Sequence, residues 1–168
     1  ELKKLDALLA PSNPTFRELA PDPASEERLW ELRRLVSPAL YKLGPDKLAD
    51  DLAVPRGSIA PAVRRFRAIG EQYGVTVVCF GHLGDGNVHT DVMYDAADPR
   101  QNEAAHAAKD EILRAALELR GTITGEHGVG LVKLPYLSAQ IGEAERALMR
   151  RVKAAFDPLG IMNPGKAY

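Results

Sequence analysis

VTVVCFGHLGDGNVHTD, Val75–Asp91, reads as two strands joined by a turn. Val75, Thr76, Val77, Val78, Cys79 and Phe80 are mostly β-branched or apolar, and Val88, Thr90, Val92 and Tyr94 alternate with other residues. Between the runs lies Gly-Asp-Gly-Asn. Asp-Gly is a strong hairpin signal, because a type I′ turn needs positive φ at both central residues. With Asp85 and Gly86 at the centre, the predicted register pairs Gly84 with Asn87, Leu83 with Val88 and His82 with His89. Directly opposed residues have Cβ atoms about 4.5–5.5 Å apart, so two imidazoles there can share a metal ion. Phe80 and Asp91 form the next pair on that face. A plain exposed histidine pair fits the same pattern. A catalytic metal site also needs a third protein ligand and an open position.

The third ligand has a candidate in GTITGEHGVGLVKLPYL, from Gly121. Thr122, Ile123 and Thr124 read as a strand. Four glycines, at 121, 125, 128 and 130, surround Glu126 and His127. In a regular strand these two side chains would point to opposite faces; in a glycine-flanked turn both can face one cavity. A solvated surface loop is the alternative.

Upstream, Leu2–Leu9 is expected to be a short helix, and residues 1–24 a linker or truncated edge. The domain proper is expected over residues 25–168. Ser25 with Glu26 and Glu27 marks a helix start, and Pro38 its stop. Leu29, Leu32 and Val36 form its apolar stripe, and Arg33 lies about 40° from Leu29 inside it. An Arg there needs an anion, either an internal Asp or Glu or a substrate carboxylate or phosphate. A short strand is expected around Leu52–Val54, while Lys42, Lys47 and Arg56 read as solvated charges. Helices follow over Ile59–Gln72 (capped by Ser58), Arg100–Leu119 and Gly142–Phe156, the last with Ala147, Leu148, Val152 and Phe156 as core. Hairpin strands beside strands separated by helices give an α+β fold, a mainly antiparallel sheet with helices on one face.

The 168 residues carry a net charge of −1, which argues against broad binding to nucleic acid or anionic membrane. Cys79 is the only cysteine, which fits a reducing compartment. The chain has no run of apolar residues near the length of a membrane helix and no secretory pattern at its start.

Two His and one Glu suit Zn²⁺, Mn²⁺ or Fe²⁺. Such an ion polarises an oxygen, and an imidazole beside it suits a general base near neutral pH. The set serves either hydrolysis by metal-bound water or deprotonation of a metal-bound alcohol.

GHLGDGNVH at 81–89, TGEHGVGLVK at 124–133 and FDPLGIMNPGK at 156–166 occur in this order, with LWELRR at 29–34 and DKLADDLAVPR at 46–56. Together they resemble the C-terminal part of the FAD-linked 2-hydroxy-acid oxidases and dehydrogenases, the glycolate oxidase flavoprotein subunit, D-lactate dehydrogenase and D-2-hydroxyglutarate dehydrogenase among them. The resemblance implies a cap with ferredoxin-like architecture, of which this chain supplies the later portion. It implies that His82, His89 and Glu126 are metal ligands and that His127 is the base. It places Arg33, Ser37 and Lys47 at the substrate carboxylate, and Asn163 and Lys166 at the flavin. The implied chemistry is oxidation of an α-hydroxyl with hydride transfer to FAD.

FAD in that family is bound mainly by an N-terminal domain that this chain does not contain, so the chain alone is expected not to turn over. Implied partners are a small 2-hydroxy acid, the FAD-binding domain of the same protein and electron-transfer subunits, with homo-oligomers and no nucleic acid. The expected location is cytoplasmic, with partner subunits holding it at the inner membrane. The family pattern has Asn two residues after the second histidine; here it is Asp91, a carboxylate that would repel an acid substrate or add a ligand. A metal-dependent hydrolase on the same His and Glu, an anion-binding module built on the glycine turns, and a purely structural domain are the competing readings.

Overall fold

The computed structural model describes residues 2–13 and 16–167. The chain divides into two compact units, Glu1–Leu40 and Tyr41–Tyr168. The first holds helices α1 (Leu2–Leu9) and α2 (Pro23–Leu40). Asp22, not Ser25, begins α2: the Ser25 amide donates to Asp22 Oδ1 at 2.9 Å. Pro38 lies inside the last turn instead of stopping the helix. Its missing N–H costs one bond only two residues before the end. Leu29, Arg33, Val36 and Ser37 are partly buried along one side, whereas Leu32 is 48% exposed.

The second unit runs β1 (Asp46–Ala53), α3 (Ile59–Tyr73), β2 (Thr76–His82), β3 (Asn87–Tyr94), α4 (Pro99–Glu118), α5 (Leu137–Gln140) and α6 (Glu143–Phe156). The sheet order is β1-β3-β2, with both neighbours antiparallel to β3. β1 and β2 are therefore parallel, joined by α3, with β3 inserted between them. That is the split βαβ of ferredoxin-like folds. β1 begins at Asp46, well before the expected Leu52–Val54 strand. Its charged residues Asp46, Lys47, Asp50 and Asp51 conceal the strand pattern.

A fourth strand of the ferredoxin pattern belongs at the outer edge of β1. Only one bridge, Ala53 to Thr122, stands there among the described residues. The strand expected at Thr122–Thr124 is thus cut short, because the backbone then turns in to meet the Asp51 carboxylate.

The observed hairpin pairs His82 with Asn87, Gly81 with Val88 and Phe80 with His89. The expected pairing of His82 with His89 is therefore wrong by two residues. The turn is longer, Leu83–Gly86, and Asp85 Oδ1 accepts the Asn87 amide at 3.0 Å rather than sitting in a two-residue I′ turn. A shift of two preserves side-chain facing, so both histidines remain on one face.

The opposite face meets α3 and α4. Phe66 and Ile69 of α3 and Ile112 and Leu113 of α4 bury against Leu52, Val77, Val88 and Val92. Each such side chain contributes about 1.5–3 kcal/mol on burial. With that face filled, α6 has no buried residue. Leu148, Val152 and Phe156, expected as core, are exposed.

Candidate active site

Alternation along the three strands sends His82 and Phe80 (β2), His89 and Asp91 (β3), and Lys47 and Asp51 (β1) to the face away from α3 and α4. Asp51 pairs with His89 in the ladder, and His89 pairs with Phe80. The His89 ring centroid lies 5.2 Å from Phe80 and 5.4 Å from His82.

Glu126 and His127 reach this face through Asp51. Its carboxylate is 1% exposed and sits in a nest of successive amides. Oδ2 accepts from the amides of Gly125 (2.9 Å), Glu126 (3.0 Å) and His127 (2.9 Å) and from Thr124 Oγ1 (3.0 Å). Burial pushes the Asp51 carboxyl up; the His127 and Glu126 amides, the Thr124 hydroxyl and Lys133 outweigh it and hold it at about 2. Gly125 is required by space: a Cβ there would lie 2.7 Å from Asp51 Oδ1 and 2.8 Å from Asn87 Nδ2.

Three imidazoles converge on one carboxylate oxygen. Glu126 Oε1 is 3.5 Å from His89 Nε2, 3.7 Å from His127 Nε2 and 3.8 Å from His82 Nε2. Ligand atoms of Asp51, His89, Glu126 and His127 all lie within 4.8 Å of one another. Burial holds the His89 imidazole below its ordinary value, against the pull of Asp51 and Glu126. A neutral imidazole offers its lone pair near pH 7, as a metal ligand must. His127 stacks on His89 at 5.6 Å and is exposed, so it can meet a substrate. The nitrogen and carboxylate donors fit a divalent ion of the zinc, manganese or iron kind.

Lys47 and Asp91 lie on the same face as an ion pair, Nζ to Oδ2 3.3 Å, with Asp91 almost fully buried. Asp91 is therefore engaged by a cation. The Asn163–Lys166 turn is tied to the glycine loop by the Ala167 amide, which donates to Gly130 O at 3.1 Å. Asn163 and Lys166 line a cavity of about 370 Å³ with Lys153 and Met162. Arg33 and Ser37 belong to α2 in the first unit, one turn apart and partly buried.

Residues 4–167 match the family described as FAD linked oxidases, C-terminal domain. The chain belongs to this family. It is 37% identical over 168 residues to the glycolate oxidase subunit GlcD of Bacillus subtilis, covering all of this chain and 36% of that protein. It is 37% identical over 146 residues to the D-2-hydroxyglutarate dehydrogenase of Stutzerimonas stutzeri, covering 84% of this chain and 31% of that one. The chain thus spans about a third of the length of these relatives. In fold it is similar to the 4-ethylphenol oxidase of Gulosibacter chungangensis, in its isoeugenol complex, with a TM-score of 0.62, 21% identity, and 99% of this chain and 36% of that chain covered.

For this FAD-linked oxidase C-terminal domain, the structure brings together His82, His89, Glu126 and His127 from the hairpin and the glycine loop. Sequence reasoning missed Asp51 and Lys133. A signal was present: an acid directly before the apolar run Leu52–Val54 must find donors if the strand is buried. Among the described residues, no helix is long and apolar enough to cross a membrane.

Proposed function

We propose that this chain is the substrate- and metal-holding part of a flavin-dependent 2-hydroxy-acid dehydrogenase or oxidase, of glycolate or D-lactate type. The convergence of His82, His89 and His127 on Glu126 Oε1 carries the reading. His82, His89 and Glu126 would hold a divalent ion. When bound, the ion would polarise the α-hydroxyl of the substrate, and FAD, held mainly by a domain outside this chain, would accept the hydride.

The chain's own part is to bind, orient and deprotonate. His127, exposed and stacked on His89, takes the hydroxyl proton. Arg33, Ser37 and Lys47 hold the substrate carboxylate, Lys47 from the same sheet face as His89, where its pair with Asp91 fixes the ammonium. Asn163 and Lys166 approach the flavin from the C-terminal turn. The FAD-binding domain, electron-transfer subunits and further copies of the chain are the proposed partners, in the cytoplasm or at the inner membrane through those subunits. GlcD and D-2-hydroxyglutarate dehydrogenase carry the names of oxidoreductases, which lends no support to a hydrolase on the same residues.

Metal content tests the proposal. The chain, purified without nickel resin, is analysed by elemental mass spectrometry beside His89→Ala. About one equivalent of Zn, Mn or Fe, lost in the variant, is expected. A folded chain that holds none of the three ions after each is supplied would sink the metal reading.

A further inference from the structure

The ten residues Thr124–Lys133 carry Glu126 and His127, and both ends of this segment are tied to one residue of β1. At the near end, Asp51 Oδ2 takes the Thr124 hydroxyl and three successive amides, and Oδ1 takes the Glu126 amide again at 3.2 Å. At the far end, Lys133 Nζ donates to the Asp51 carbonyl oxygen at 2.8 Å. It also lies 3.7 Å from Asp50 Oδ1 and 3.8 Å from Asp51 Oδ2. Lys133 is 6% exposed, so its ammonium depends on these oxygens.

The register makes this more than loop stabilisation. Asp51 stands directly opposite His89 in the ladder. Anything hung on Asp51 is therefore placed at a fixed distance from His89, because opposed Cβ atoms are held about 4.5–5.5 Å apart. Oδ2 already has four donors, which leaves it no lone pair to offer an ion. Asp51 thus lies among the potential ligands while its Oδ2 is engaged by the loop.

We infer that Asp51 and Lys133 are positioning residues, a two-ended staple that holds Glu126 and His127 against the hairpin histidines before any ion arrives. The consequence for metal affinity rests on the metal reading above; the staple itself does not.

Two measurements on the 168-residue chain test it. Asp51→Asn keeps the shape but turns an amide N–H₂ or a single neutral oxygen toward a ring of donors. Its dissociation constant for Zn²⁺ or Mn²⁺ alone, by titration calorimetry, is expected to rise about 10–100-fold, the usual effect of removing a group that orients metal ligands. Amide hydrogen exchange on the metal-free chain reads the staple directly. Gly125, Glu126 and His127 are expected to be protected in the parent and fast in Asp51→Asn, with Lys133→Met loosening the far end. Circular dichroism and the thermal midpoint confirm folding of each variant. If Asp51→Asn does not fold, Thr124→Val and Lys133→Met, each removing one tie, carry the same comparison.

Metal affinity within threefold of the parent, or equal exchange at 125–127 in both proteins, would overturn the inference. Weakened metal binding with those amides unprotected even in the parent would make Asp51 a direct ligand instead, which also overturns it. A parent that binds no metal refutes the metal reading, and the exchange comparison then decides the staple alone.

Discussion

The Lys47–Asp91 pair can be weighed by a double-mutant cycle. The two charges are 3.3 Å apart, with side chains 16% and 3% exposed. At an effective dielectric of about 20, the gross attraction is about 5 kcal/mol. Removing both groups from water offsets much of that, and a buried pair of this kind is worth far less in net terms. The cycle through Lys47→Met, Asp91→Asn and the double variant cancels most of the desolvation and isolates the coupling. We expect a coupling of about 1–3 kcal/mol, with Asp91→Asn alone destabilising the chain. Urea unfolding at pH 7 followed by circular dichroism supplies the four free energies. Because the pair is buried, raising NaCl from about 0.05 to about 0.5 M should change the coupling little. A coupling below about 0.5 kcal/mol, or one abolished by salt, would refute the picture of Asp91 as a buried partner of Lys47.

Two further outcomes are expected. Asp51 is held at about 2 in the folded chain, below its unfolded value near 3.8, so its stabilisation is present above pH 4 and lost as pH falls toward 2. The difference in unfolding free energy between the parent and Asp51→Asn should shrink by about 2 kcal/mol between pH 5 and pH 2; a constant difference would contradict the hydrogen-bond network drawn for Asp51. Leu148, Val152, Phe156, Leu159 and Ile161 are all exposed on α6 and the turn that follows it, and apolar surface of this kind favours association. The isolated chain should self-associate with rising concentration and Phe156→Glu should reduce it; light scattering that finds a monomer throughout counts against this.

The hairpin was legible because two strands of strong β-formers flank an Asp-Gly, and its facing survived an error of register. Had the slip been one residue, His82 and His89 would have faced apart; a slip of two moved only the pairing partner. The exact pairing was not legible, since Asp85 closes a longer turn through its side chain, a choice the dipeptide signal does not contain. Glu126 and His127 were found from their glycine surroundings and the family resemblance. What holds them was hidden, because a buried acid and its donors lie 73 to 76 residues apart along the chain. β1 was half-read for a related reason: its acidic residues look solvent-facing until their partners Lys109 and Lys133 are placed. α6 failed in the other direction. Its apolar spacing is helical, as expected, but periodicity names a face without saying whether anything covers it.

The fourth-strand position, held by a single bridge among the described residues, has a bearing on the order in which the molecule assembles. The hairpin closes across only the residues between His82 and Asn87, whereas Asp51 meets the Gly125 amide across a separation of 74 residues. Loop-closure entropy makes the second event costlier by about 2–3 kcal/mol. Among the described residues no strand ladder beyond one bridge repays that cost; it falls on a carboxylate and an ammonium group. The sheet and its two helices can therefore gather first, through nearer contacts, and the glycine loop docks last. The cluster of His82, His89, Glu126 and His127 is then complete only with the final docking, and a half-folded chain presents the two hairpin histidines without Glu126 and His127 beside them.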